Sequence, residues 1–445
     1  MSGRIAKARR DGGADRQGRF SRFGGLVRRM VAIQLEAFRL AWDAIRVFKL
    51  RSTLAISGIV IGIITVVVIA SILVNLRNQV ALLFRELGTE NVFAFHLTGD
   101  PYAEASEAER NRRPLRPEFA EPLARLGDAI REVAVQVIIP PLVGDEPIVV
   151  RAARRETESA LVEAVSANYF RVVGAEFRDG RPFTDLEERR GARVAVLGAG
   201  ISEALFGDAD PVGRPILLAG ERYLVVGRLA KRKGGFFGEN RQDNVVAIPQ
   251  TAARRRFPEA DRTVLYIRSE PGRLQAAYNQ AEWILRRLRG LRPDEPNDFS
   301  LSTAESIIRN LDQVSAGVGL ITFALAGVSL FIGGIGIANI MLISVTERTR
   351  EIGTRLAVGA RRREVLAQFL IEAAGLSLIG GVIGVGLAVA LGLLLGLVLE
   401  GYSAEPPLWA VLAGVGAALG VGIIAGYWPA RRAAAMDPVE ALRYE

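Results

Sequence analysis

Four apolar runs, at residues 53–74, 313–346, 373–399 and 406–430, dominate the hydropathy pattern of this 445-residue chain. Each is long enough to cross a bilayer as a helix, because about 20 residues span a hydrocarbon core of about 30 Å. The second run holds 34 residues. At about 1.5 Å per residue it would be about 51 Å long, so it is expected to project beyond the membrane. The first run is too long for the apolar part of a cleaved signal, and no small-residue cleavage site follows it. Between the first two runs the pattern changes to that of a globular domain. Short β-rich stretches at 133–139, 148–152, 194–197, 223–226, 244–248 and 264–267 alternate with helical ones. Turns are marked by Asp179-Gly180, Asp210–Gly213 and Lys233–Gly235. Residues 271–290 read as a helix with Leu274, Tyr278, Ala281, Ile284 and Leu288 on one face. The pattern predicts an α-helical integral membrane protein: four transmembrane helices, with a large mixed α/β extracytoplasmic domain between helices 1 and 2.

Charge orients the helices. Residues 1–51 carry thirteen Lys and Arg against Asp11, Asp15, Glu36 and Asp43, which accounts for the whole formal net charge of +9. The segment 346–364 has six Arg, and Arg431, Arg432 and Arg443 follow the last run, whereas 400–405 has none. Cationic loops stay on the cytoplasmic side, so both termini and the Arg-rich segment are expected inside, and 75–312 and 400–405 outside. The basic pI is thereby a topology signal with some attraction to membrane lipid headgroups, and no nucleic acid is implied. The expected organisation is a disordered basic tail at 1–30 and an amphipathic interfacial helix at 31–51, with Val31, Leu35, Phe38, Trp42 and Ile45 at helical spacing. Spans follow at 52–75, 313–345, 365–399 and 407–430. The outer domain covers 76–312 with a possible inserted lobe at 175–260. A cytoplasmic helix lies at 346–364, a short outer loop at 400–406 and a tail at 431–445.

The segment 346–364 is the most informative. Arg or Glu at a bilayer centre costs about 2.5–3.5 kcal/mol each, so this segment must lie at the surface, tied at both ends to spans. Thr346 is placed to cap a short helix, and Glu347 suits its first turn. Glu347–Arg350 and Glu351–Arg355 are spaced as ion pairs along it. Ile352 and Leu356, one turn apart, offer an apolar knob. Gly359 is placed to stop the helix in a left-handed conformation. Glu372, in the third run, is expected near the inner headgroups and paired with an Arg of this segment. The pairs Gly58/Gly62, Gly380/Gly384, Gly392/Gly396, Gly416/Gly420 and Gly422/Gly426 allow close helix approach, either within one chain or at a dimer seam.

Several chemistries have no residues to carry them. There is no cysteine, and the single histidine, His96, cannot by itself build a zinc site or a catalytic triad. No phosphate-binding loop of the G-x-x-x-x-G-K-[ST] type occurs, so no nucleotide hydrolysis is expected from this sequence. The run Gly333–Gly336 sits inside a span with no preceding strand, which excludes a dinucleotide fingerprint. Catalytic, cofactor and metal residues are accordingly expected to be none.

The run Val345–Glu364 resembles the signature between the second and third spans of the MacB/FtsX family of ABC transporter permeases. Lys49–Ser52 with Gly58–Gly62 resembles that family's entry to the first span. Ser166–Phe170, Gly180–Phe183, Val194–Leu197 and Ala204–Gly213 resemble its periplasmic domain, and Pro429–Arg432 with Asp437–Leu442 its tail. The resemblance implies an inner-membrane homodimer acting with two copies of a separate ATPase subunit that uses ATP and Mg. Those subunits would push on residues 347–359 as a coupling helix. It also implies export of substrate, through a periplasmic adaptor and an outer-membrane duct. Lipoprotein extraction uses the same plan. A signalling complex that activates a cell-wall hydrolase is the rival from a different class. The MacB exporter carries its ATPase on the same chain, whereas these residues include none. The basic residues 1–30 match nothing in the family.

Overall fold

The computed structural model describes residues 49–443, apart from 87, 89, 99–106, 108, 110, 144–145, 153–154, 233–239 and 399–404. The basic tail, all but the end of the proposed interfacial helix and most of the loop 400–406 lie outside the described residues. The chain divides into two compact units, an α/β domain drawn mainly from 75–315 and a helical unit formed by the apolar segments.

Central strands of the α/β domain such as Val194–Leu197 and Val245–Pro249 are apolar throughout, and the reason is burial on both faces. In Ile130–Ile138, Val133, Val135 and Val137 enter one apolar cluster while Ala134 and Ile138 enter another. Ala195 and Leu197 alternate in the same way with Val194 and Val196, and Leu265 and Ile267 with Val264 and Tyr266. A period of two thus sorts one strand between two cores. The twelve-stranded sheet runs in the order 300–303, 91–95, 262–269, 130–138, 161–165, 245–249, 194–197, 221–229, 215–218, 150–152, 155–157, with 177–180 pairing on 221–229. Two neighbouring pairs are parallel, 245–249 with 161–165 and 221–229 with 194–197; the other pairs are antiparallel. Strands from 175–260, expected as a separate lobe, continue this ladder: Val245 sits opposite Leu161 and Val246 opposite Leu197. A shared ladder makes them part of the same sheet.

The helix expected at 271–290 is Leu274–Arg289, with Ala277, Ala281, Ile284 and Leu285 buried. Gly290 ends it in the left-handed conformation, φ +70°. At Asp185–Arg190 a complete capping box forms: Glu187 N donates to Thr184 Oγ1, and the Glu187 carboxylate accepts from Thr184 N. Arg181 adds two contacts of 2.8 Å to that carboxylate and, with the cap, draws the Glu187 pKa down to about 2.

Four helices are long and apolar enough to cross a membrane: 52–84, Ala304–Glu347, 362–397 and Leu408–Ala434. All four outlast their apolar runs, the fourth as far as Ala434, because polar residues continue the turns. The first reaches Glu86, the second begins at Ala304 and the third at Arg362. In the α/β domain Arg77 and Asp312, on the polar extensions of the first two, pair at 2.8 Å. Inside the helical unit Ala55, Ile59, Ile63 and Val67 form one buried stripe at four-residue spacing. Small residues set the approach, as expected where lipid removes the hydrophobic drive and close packing decides. A Cβ at Gly58 would lie 2.9 Å from Gly333 N, and one at Gly384 would lie 3.0 Å from Ile63 Cβ. Gly62 and Gly380 face Leu330 and Ile59 in the same way. Gly416 and Gly420 do not: nothing lies within 4 Å of either position. The fourth helix instead packs through Gly422 and Gly426, on Ser377 and Ala373. Phe323, Phe331, Leu393 and Ile424, all well exposed, form the outer surface that a bilayer would cover.

Candidate coupling helix

The short charged helix is Thr349–Ala357, nine residues placed between the second and third long helices. Its start differs from expectation. Thr346 and Glu347 complete the preceding helix, with Thr346 Oγ1 donating to Ile343 O at 2.8 Å, and Arg348 occupies the N-cap without a side-chain cap. Regular helical hydrogen bonding of the second span continues two residues beyond the expected boundary at 345. Glu347 is therefore outside the short helix and makes no ion pair with Arg350 among the described residues. A single residue, Arg348, separates the two helices.

The C-terminal stop is as expected. Gly359 has φ +103°, its N–H reaches Leu356 O at 3.1 Å, and Ala360 N reaches Arg355 O at 3.0 Å. Those two bonds define a Schellman motif, and glycine is the residue that enters it without strain. The next helix starts at once: Glu364 turns its carboxylate back to Arg361 N at 3.1 Å, one half of a capping box.

The two faces of the short helix have separate uses. Arg350, Thr354 and Val358, four residues apart, are exposed, Val358 at 85%. Arg361, Arg362 and Arg363 extend the cationic surface. On the opposite face Ile352 is 4% exposed and clusters with Val345, Val365 and Phe369, while Leu356 packs partly buried against them. The apolar knob expected to reach a partner is thus consumed inside this chain. Those partners come from the two flanking long helices, and a short C-terminal helix, Pro438–Arg443, also packs against the charged helix. A Cβ at Gly353 would lie 2.6 Å from Ala441 Cβ, so the absence of a side chain at 353 admits the tail. The tail helix had a legible start signal. Asp437 accepts from Val439 N at 2.8 Å, Pro438 holds the first helical position and Glu440 follows in the first turn.

Charged side chains brace the arrangement. Arg355 contacts Glu351 at 2.5 Å, the expected pair, and also donates to Gln368 Oε1 at 2.6 Å. Glu372, 6% exposed, has Arg348 Nη1 at 3.5 Å from both carboxylate oxygens and Gln368 Nε2 at 3.4 Å. Arg348 is the loop arginine that the buried acid requires. In the α/β domain His96 is buried with its Nδ1 unbonded, and desolvation holds the imidazole below its usual pKa. No group of three or more His, Asp or Glu side chains gathers as a metal site among the described residues.

A membrane-anchored α/β domain followed by spans that flank a charged surface helix defines a class of ABC transporter permeases. Residues 52–282 match the MacB-like periplasmic core domain, and 323–438 match the FtsX-like permease C-terminal domain. The chain belongs to the MacB/FtsX family of permeases. The macrolide export ATP-binding/permease protein MacB 2 of Aeromonas hydrophila is 36% identical over 414 residues, covering 92% of this chain and 61% of its own. The pyoverdine export ATP-binding/permease protein PvdT of Pseudomonas aeruginosa is 33% identical over 416 residues, covering 92% of this chain and 58% of its own. The chain spans about three-fifths of the length of these curated relatives. The crystallised periplasmic region of MacB from Actinobacillus actinomycetemcomitans aligns at 17% identity with a TM-score of 0.41, over 52% of this chain and 95% of that one.

Proposed function

We propose that this chain is the permease subunit of an export transporter, converting ATP hydrolysis by two copies of a separate ATPase subunit into movement of its periplasmic domain. In this reading it works as an inner-membrane homodimer with both termini cytoplasmic. Cargo is handed outward by way of a periplasmic adaptor and an outer-membrane duct. ATP and Mg belong to the ATPase, and this chain binds no cofactor. The observation that carries the reading is the mounting of Thr349–Ala357. One residue ties it to the second span, the glycine-stopped turn ties it to the third, and the tail helix backs it through Gly353. A helix held at both ends and behind moves its neighbours when its free face is pushed. That free face is Arg350, Thr354 and Val358, which suits a shallow acidic groove on the ATPase. Two relatives of similar identity are named for unlike cargoes, macrolide and pyoverdine, so cargo identity is a matter for transport assays.

The test pairs the purified full chain with its ATPase. The chain alone should show no ATP turnover above a contaminant control, and the pair should co-purify. Arg350→Glu/Val358→Glu should lose the ATPase while keeping its own thermal transition. Parent-level retention by that variant would place the contact elsewhere and remove the lever from the account.

A further inference from the structure

The α/β domain holds a cleft of about 1430 Å³ that plays no part in the coupling arrangement. It exceeds the roughly 300–1,000 Å³ of an ordinary small-molecule site. Leu115 and Phe257, both buried, close its base, and Phe119, Ala260, Leu288 and Leu291, all partly buried, are the apolar lining a ligand can reach. Over this lining lies the strap Arg112-Arg113-Pro114-Leu115-Arg116-Pro117.

The strap is built to stay in place. Two prolines restrict its backbone, and Leu115 pins it to the core. Behind it, Arg289, with its side chain 5% exposed, grips Asp298 at 2.5 Å and donates to Arg113 O at 2.7 Å and Pro114 O at 3.4 Å. A buried guanidinium spent on two strap carbonyls fixes where the neighbouring side chains start. Those side chains are Arg113 and Arg116, both exposed, both lining the cleft, and both without a side-chain ion pair among the described residues. Most of the cleft's carboxylates are engaged: Glu118 with Arg254 at 3.1 Å, Asp298 with Arg289, and Glu295 with Arg292 at 3.6 Å. Asp261 is the one left unpaired among the described lining residues. Two free guanidinium groups against one carboxylate leave the cleft cationic above an apolar floor. The Arg254–Glu118 pair, exposed on both sides, is the kind that contributes little, so an incoming anion can exchange with Glu118 at small cost.

We infer that this cleft binds an amphiphile carrying an anionic headgroup, its chain along Phe119, Ala260, Leu288 and Leu291 and its anion between Arg113 and Arg116. Planar guanidinium forks recognise carboxylate and phosphate groups bidentately, which gives the headgroup its specificity. The ligand can arrive free from the surrounding medium or as an anionic lipid, and the same chemistry serves both.

The chain has no cysteine, so Pro258→Cys on the cleft lining gives a single attachment point for a bimane reporter. The labelled full chain is placed in nanodiscs of zwitterionic phosphatidylcholine and titrated with decanoate below its micellar concentration, with decanol and decyltrimethylammonium in parallel. Decanoate should shift the fluorescence saturably, at concentrations at least tenfold below those the other two require. Arg113→Ala/Arg116→Ala should weaken decanoate at least tenfold, and Arg113→Lys/Arg116→Lys should recover part of the loss. Neither pair takes part in a side-chain contact, so the thermal transition should stay at the parent value. Nanodiscs containing phosphatidylglycerol separate the sources: a lipid ligand shifts the reporter before any decanoate is added, a free one does not. Equal responses to the three probes, or parent-like decanoate binding in the folded double alanine variant, overturn the site. Neither ATPase nor transport enters this readout, so its failure is separate from failure of the export reading.

Discussion

Replacing Gly353 by leucine puts a side chain into the contact that seats the tail helix. Its Cβ alone would stand 2.6 Å from Ala441 Cβ, inside any normal contact distance. Overpacking of this kind costs about 1–3 kcal/mol. Removing a glycine from a helix interior returns about 1 kcal/mol, so the local balance is a loss of up to about 2 kcal/mol. The tail is a six-residue helix that packs on the charged helix, and it should give way before the long helices do. Hydrogen exchange measured by mass spectrometry should therefore speed over residues 438–443, by about tenfold for each 1.4 kcal/mol lost. Gly353→Ala should show a smaller effect, and Gly353→Ala/Ala441→Gly, which moves the methyl from one helix to the other, should restore most of the protection. Unchanged exchange over 438–443 in Gly353→Leu, with the same global transition, would refute the seating of the tail on Gly353.

Further expectations follow from the same geometry. Ile352→Glu buries a charge without a partner, which costs about 3–5 kcal/mol for related broken pairs, so it should lower the thermal transition of the chain alone; an unchanged transition would contradict the burial of Ile352. Gly58→Val should destabilise the helical unit because its side chain meets Gly333 backbone, whereas Gly416→Val, with open space around it, should leave the protomer intact and disturb at most self-association, readable by mass photometry. Burial lowers the pKa of His96 in the folded chain, while the unfolded chain takes up a proton near pH 6.5. Its stabilising contribution is complete above about pH 6.5 and is lost as pH falls toward the lower folded pKa, so His96→Gln should flatten that slope in pH-dependent melts. Glu187 behaves in the same sense at lower pH: its contribution is complete above 4.5 and lost by about 2, and Thr184→Ala should cost about 1 kcal/mol by removing the cap. A Cys at Arg189 should react with an impermeant maleimide in intact spheroplasts and one at Arg350 should not; the reverse labelling would invert the orientation.

Apolar run length was enough to locate four spanning helices, and period-two strands such as Val194–Leu197 were legible to the residue. Helix ends were not, because residues such as Asn75–Gln79 extend a helix by propensity while reading as the end of an apolar run. The Schellman stop at Gly359 was legible because only a left-handed glycine closes that turn cheaply. The fate of Ile352 was not legible. Two apolar residues one turn apart on a charged helix look the same whether they meet a partner or the chain's own flanking helices, here through Val345, Val365 and Phe369. Likewise Gly380/Gly384 and Gly416/Gly420 share a spacing but not an environment, because spacing specifies a face of a helix and not what lies across from it. A continuous sheet through 175–260 depends on long-range pairing, such as Val245 with Leu161, that no local pattern encodes.

The central claim is that the ATPase pushes on the exposed face of Thr349–Ala357 while the opposite face stays packed within the chain. Single cysteines at Val358 and at Ile352, in this otherwise cysteine-free sequence, allow a direct comparison by a short thiol-to-amine cross-linker in the purified complex with the ATPase. Val358→Cys should join the two subunits in a nucleotide-dependent manner, and Ile352→Cys should not react until the protein is unfolded. Cross-linking from position 352, or none from 358 in a complex that turns over ATP, would contradict the account.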